Sequence, residues 1–145
     1  MAGYPSRLEP GNLCDGLRPD DKTHVSWANG QAIIWGVTCV DTVADSYVAG
    51  CSETTGYAAK RAEEFKAEKY LRMTETYHFI PIGIETFGAI GPATDKFFGT
   101  LGKLIKQKTG EPRSLEFLKQ RISLDIQRGN SAPVLGTLPQ SWMLR

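Results

Sequence analysis

Five residues of this chain could do metal-assisted chemistry if folding brought them together: Asp20, Asp41, Lys66, Lys69 and Glu85. Carboxylates at neighbouring strand ends hold Mg²⁺ or Mn²⁺ through oxygen. A lysine beside them steadies an attacking hydroxide or the charge on a phosphoryl group. Asp20 closes the run Leu17-Arg18-Pro19-Asp20. A second acid is expected across a hairpin, opening an acid-x-Lys triplet, yet the triplet there is Gly36-Val37-Thr38. Neither Val37 nor Thr38 can replace the missing acid. Asp41 lies five positions on and is a poor substitute from the far end of the strand. Lys66 and Lys69, three apart on one helix face, can reach back to the sheet.

Each residue also has a plainer reading. Asp after Pro suits a turn. Glu85-Thr86 serves equally as a cap for the turn before Gly88 or as a site acid. Lysines at helical spacing commonly make a solvated face. His24 and His78 have no ligand partner at metal spacing, and Trp35 and Phe79 read as core. Gly88-Ala89-Ile90-Gly91 lacks the lysine of a phosphate loop.

Positioning these groups needs strands and a helix in a set order. Residues 1–16, rich in Gly and Pro, predict a loose arm. Strands are predicted over Lys22–Trp27 and Ala32–Val40, joined by an Asn29-Gly30 hairpin turn. Asp41–Thr54 reads as a polar connection. A helix over Thr55–Met73 carries Ala58, Ala59, Ala62, Phe65 and Tyr70 at apolar spacing, with Glu63–Lys66 and Glu68–Arg72 as supporting pairs. His78–Thr86 reads as a strand, and Pro81 within it marks an edge or irregular position. A turn through Gly88, Gly91 and Pro92 opens a helix over Ala93–Lys108, stopped at Gly110. The last helix spans Ser114–Arg128, with Ser114 as its cap. Its core face is Leu115, Phe117, Leu118, Ile122 and Ile126, and a fraying tail begins at Gly129. The fold class is α/β or α+β: a small mixed β-sheet flanked by helices. One domain covers residues 17–138, followed by a tail over residues 139–145.

At 145 residues the chain is long enough to bury one core, and 41% hydrophobic with 23% charged residues is ordinary for a globular protein. A net charge of +1 gives no global pull toward nucleic acid or membrane. The charge is uneven: seven basic residues against three acids lie between Lys103 and Arg128. That half reads as two solvated helix faces or as a phosphate-facing surface, with Lys103, Lys106 and Arg121 as its nucleic-acid contacts. Cys14, Cys39 and Cys51 are odd in number and lack CxxC spacing, which argues against a disulfide framework and against zinc. A reducing compartment, nuclear or cytoplasmic, is expected, with no secretory signal and no membrane span.

The set Arg18-Pro19-Asp20, Trp35-Gly36-Val37-Thr38-Cys39-Val40-Asp41-Thr42, Lys66-x-x-Lys69-Tyr70, Pro81 to Gly88 and Arg128-Gly129-Asn130 resembles a known family. It is similar to the restriction-like endonuclease domain attached to reverse transcriptases of non-LTR retrotransposons, within the PD-(D/E)xK nuclease superfamily. The resemblance runs from Leu17 to Leu138 and is specific as a set rather than motif by motif. It implies a restriction-endonuclease-like fold and DNA nicking with Mg²⁺ or Mn²⁺. It also implies catalytic roles for Asp20, Lys66, Lys69 and Glu85, with Asp20 and Asp41 as metal ligands. The family carries an acid where this chain has Gly36, so the resemblance implies an impaired nuclease with residual DNA binding. The sequence also admits an active Mg²⁺ nuclease using Asp20, Asp41 or Glu85, and Lys66. It equally admits an interaction module without nucleic acid, or a decaying fragment.

Overall fold

The computed structural model describes residues 6–8 and 17–137. Its sheet has four strands in spatial order: β1 (Ser6–Leu8), β2 (Asp21–Ala28), β3 (Gln31–Val40) and β4 (His78–Glu85). The pairs β1–β2 and β2–β3 are antiparallel, while β3 and β4 run parallel, so the sheet is mixed. A parallel pair needs a long crossover. Here it comprises α1 (Val48–Glu53), α2 (Tyr57–Lys69) and a 3₁₀ turn over Leu71–Glu75. Two further helices follow, α3 (Pro92–Thr109) and α4 (Ser114–Thr137). No helix among the described residues is long and apolar enough to cross a membrane.

Asn29 and Gly30 set the hairpin as their sequence predicts. Both take positive φ, 50° and 75°, the conformation of a two-residue type I′ turn, and Ala28 pairs with Gln31 across it. Beyond the turn β3 alternates between two cores. Ile33 and Trp35 join Ile80, Ile82 and Phe97 on the face covered by α3. Ile34 packs with Tyr70 and Met73, and Val40 with Ala58 and Ala62, on the face covered by α2. Both faces of the sheet are thus buried, which suits a parallel β-α-β unit.

Helix α2 lies close on the sheet because its buried face is small: Ala58, Ala59 and Ala62. Opposite it, a Cβ at Gly83 would lie 2.3 Å from the Ala59 carbonyl oxygen, so only glycine permits this approach. Burying the helix starts strands their free amides, and two buried carboxylates satisfy them. Glu85, 4% exposed at the end of β4, accepts from the Ala58 and Ala59 amides at 3.0 and 3.3 Å. Glu63, also 4% exposed, accepts from the Ala93 and Thr94 amides of α3 at 2.9 and 2.8 Å. The Thr94 hydroxyl donates to Glu63 and accepts from the Gly83 amide at 2.9 Å. The free edge of β4 is covered by its own return. The Gly91 amide donates to the Gly83 carbonyl and the Glu85 amide to the Ala89 carbonyl. Pro81 therefore sits on an edge strand, where its missing donor does no harm.

Several expectations need correction. Ser6–Leu8, within the expected loose arm, pair with β2, and the rest of residues 1–16 lies outside the described residues. The polar connection contains α1. The long second helix stops at Lys69 and tightens into 3₁₀ geometry. Phe65 is 68% exposed because the sheet-facing stripe runs through Ala59, Ala62, Lys66 and Tyr70, and Phe65 falls to its side. Phe117, expected in the core, is exposed beneath the Arg113 guanidinium. Glu63 caps α3 rather than pairing with Lys66. Helix α4 continues past Arg128 to Thr137, and the Asn130 amide ties the extension to the Thr86 carbonyl at 2.6 Å. Residues 139–145 lie outside the described residues.

The Gly83–Ala59 approach gives the first prediction. Gly83→Ala should destabilise the fold by about 1–3 kcal/mol through overpacking, read as a lower urea midpoint at unchanged slope. A change within about 0.5 kcal/mol would mean that α2 does not press on β4 at this point.

Candidate functional site

Asp20 enters the site through its backbone. Its amide donates to the Trp35 carbonyl at 2.9 Å, which lays Asp20 alongside residues 35–37 of β3. The Oδ2 oxygen then accepts from the Val37 amide at 2.5 Å. From the opposite layer, Lys66 of α2 donates its Nζ to the Val37 carbonyl at 3.0 Å, and the same nitrogen stands 3.9 Å from Asp20 Oδ2. One peptide segment of β3 therefore holds the acid by its amide and the ammonium by its carbonyl.

Gly36 lies between them. It is buried and has no positive φ, so its backbone does not call for glycine. A Cβ built there would lie 3.0 Å from Lys66 Nζ and 3.1 Å from Lys66 Cδ. The side-chain direction of position 36 thus points at the Lys66 ammonium, which fills the space. Asp20 is half exposed, 52% against 20% for Lys66, so solvent screens this ion pair and its contribution is about 0–1 kcal/mol.

Tyr70 holds the acid's loop. It lies one helical turn beyond Lys66, and its ring stacks on Phe79 at 4.5 Å between centroids, 11° from parallel. Its hydroxyl donates to the Arg18 carbonyl at 2.7 Å, and Pro19 behind it is fully buried. Burial, and then the negative charge of Asp20, push the Tyr70 phenol above its ordinary value.

The other expected site residues lie elsewhere. Lys69 is exposed, with its ammonium 5.7 Å from the Tyr70 ring centre, and makes no bond to Asp20 among the described residues. Asp41 sits past the end of β3, where its Oδ1 accepts from the Val43 amide at 3.0 Å in a local turn. Glu85 is a helix cap: Gly36 pairs with Pro81 and Val40 with Glu85, so Glu85 is four residues, about 13 Å, further along the sheet. No three His, Cys, Asp or Glu residues come together as a metal group among the described residues. Lys103 and Lys106 on α3 and Arg121 on α4 belong to the layer across the sheet from α2, and Arg121 pairs with Asp125 at 3.2 Å. His24 and His78 are both exposed, and Cys39 and Cys51 are free thiols.

Two participants escaped the sequence reading. The Val37 peptide carries no side-chain signal, so its bridging role was invisible. Tyr70 was expected in the core and is buried there; what its spacing did not show is that its hydroxyl also fastens the Arg18 carbonyl.

Tyr70→Phe removes the bond to Arg18 and should cost about 0.5–1.5 kcal/mol. A phenol raised in the folded state lends stability that is whole below about pH 10 and is lost as pH climbs through its folded value. The difference between wild type and Tyr70→Phe should therefore shrink above about pH 10, in urea unfolding at stepped pH. A constant difference through that range would place Tyr70 outside the site's electrostatics.

No protein-family model, curated protein or solved structure matches this chain, so the reading of the site rests on its own geometry.

Proposed function

We propose that this chain is a restriction-endonuclease-like domain of retroelement origin whose metal site has lost one acid. It retains weak, salt-sensitive DNA binding. The observation that carries the reading is the direction of position 36. Its Cβ vector points at Lys66 Nζ from 3.0 Å, and Asp20 is bonded to the next residue. An acid, a second acid and a lysine in that arrangement make a site for phosphodiester cleavage.

The residues present do not fit a divalent metal. Mg²⁺ demands near-octahedral oxygen ligation. Among the described residues Asp20 belongs to no group of three metal-ligating side chains, the Val37 carbonyl is already taken by Lys66, and the Lys66 ammonium stands 3.9 Å from the Asp20 carboxylate. No hydrolytic step follows from such a site. What supports phosphate contact is the exposed lysines, Lys69 of α2 with Lys103 and Lys106 of α3, since Lys66 is engaged by the Val37 carbonyl and Asp20. Binding through a few such cations weakens steeply with salt.

A nicking assay on supercoiled plasmid with Mn²⁺ tests this reading. The unmodified chain should be near background. Gly36→Asp should raise nicking by about 100-fold or more, since one electrostatic stabiliser is worth about that much. Adding Asp20→Ala should abolish the gain. If the unmodified chain already nicks and Asp20→Ala alone stops it, the impaired-site reading fails.

A further inference from the structure

Across the sheet from Asp20, the α3 face carries a narrow slot of about 180 Å³. Trp27, His78, Pro81 and Phe97 form its rings and walls, and Lys96 and Thr100 stand at its mouth. The Trp27 and Phe97 rings pack on each other, 6.1 Å between centroids and tilted by 56°, and together form one wall of the slot. It is smaller than the roughly 300–1,000 Å³ of drug-sized ligand pockets, and suits one planar ring.

A basic stripe leads away from this slot. Lys96, Thr100, Lys103 and Gln107 stand at i, i+4, i+7 and i+11 of α3, which places them on one line of the helix surface. All four are exposed, and Lys106 flanks them. None of the three lysines pairs with a carboxylate among the described residues. The acid nearest in sequence, Asp95, is held by Lys119 at 2.7 Å on the α4 side. The stripe is thus a row of positive charge and neutral polar groups, about 10 Å from Lys96 to Lys103, ending at an aromatic slot.

We propose that this surface binds single-stranded nucleic acid, with one base stacked in the Trp27–His78–Phe97 slot and the backbone phosphates following Lys96 and Lys103. Positive grooves that end on aromatic rings are how unpaired strands are held, because every base offers a flat face. A duplex cannot use the slot without unstacking a base. The inference rests on the nucleic-acid reading above and adds a second contact on the opposite face. A strand displaced at the Asp20 side has a separate surface to occupy.

The test uses the full chain and fluorescence anisotropy with a labelled oligothymidylate of about twelve nucleotides, at stepped salt from about 50 mM. Binding should be tighter than to a hairpin duplex of equal charge. Replacing the thymidines with abasic sites, which keeps every phosphate, should weaken binding by about tenfold or more. Lys96→Ala with Lys103→Ala should weaken it comparably and lower the salt slope by about 1.4, two contacts at about 0.7 each. Trp27 packs against the core, so His78→Ala, at an exposed position, serves as the slot variant and should also weaken binding. Equal binding of the abasic strand, or equal competition by polyglutamate of matched charge, would overturn the proposal, as would an unchanged lysine double variant. Nicking by Gly36→Asp reports on the Asp20 site alone, so failure of the slot and failure of the nuclease reading are separable.

Discussion

A helix that starts inside a protein must find acceptors for its first amides, and that constraint organises this fold. Both helices packed on the sheet begin at buried positions, and each is met by a carboxylate from another element. Glu85 of β4 closes the start of α2, and Glu63 of α2 closes the start of α3. Negative charge at a helix N-terminus is favourable in itself, so these contacts answer both the stranded amides and the helix dipole. Strand, first helix and second helix are thereby linked in series by buried polar contacts.

That linkage fixes the candidate site through two rulers. Glu85 lies level with Val40, and Gly36 is four strand residues back, about 13 Å. Ala58 is held by Glu85, and Lys66 is eight helical residues on, about 12 Å. The helix returns against the direction of β3, so Lys66 must arrive level with Gly36. Its ammonium meets the Val37 carbonyl there, and the absence of a side chain at 36 lets the lysine come in. One turn later Tyr70 fastens the Arg18 carbonyl, which keeps Asp20 on the same peptide segment. The missing side chain at 36 and the inward position of Lys66 are two sides of one arrangement: an internal cation stands beside Asp20.

The sequence made the scaffold legible where a local signal was strong. Asn29-Gly30 could hardly be other than a hairpin, and the apolar run after it gave β3. The family resemblance grouped Asp20 and position 36 with Lys66, Lys69, Asp41 and Glu85; of these Asp20, Gly36 and Lys66 are neighbours, and the other three lie elsewhere. Glu85 misled because a carboxylate beside a strand end carries the same letter whether it holds a metal or caps a helix. Its neighbours in space, Ala58 and Ala59, are far away in sequence. Glu63 was assigned to Lys66 by helical spacing, but a partner on α3 outcompetes an exposed pair, because burial penalises an unmet amide far more than solvent penalises a lone charge. Phe65 was placed inside by periodicity alone, and the polar contacts of Glu63 and Lys66 rotate the buried stripe away from it. The continuation of α4 beyond Arg128 rests on Asn130 reaching Thr86, a tertiary bond with no local cue.

The claim on which the account stands is that Asp20, position 36 and Lys66 surround one point in space. Paramagnetic broadening by Mn²⁺, read on assigned backbone amide resonances, tests it directly. In Gly36→Asp, the account predicts broadening centred on residues 20, 36 to 38 and 66, with the unsubstituted chain spared at the same metal concentration. Broadening of the unsubstituted chain at those residues, or broadening of the variant centred on Asp41 or Glu85 instead, would contradict it.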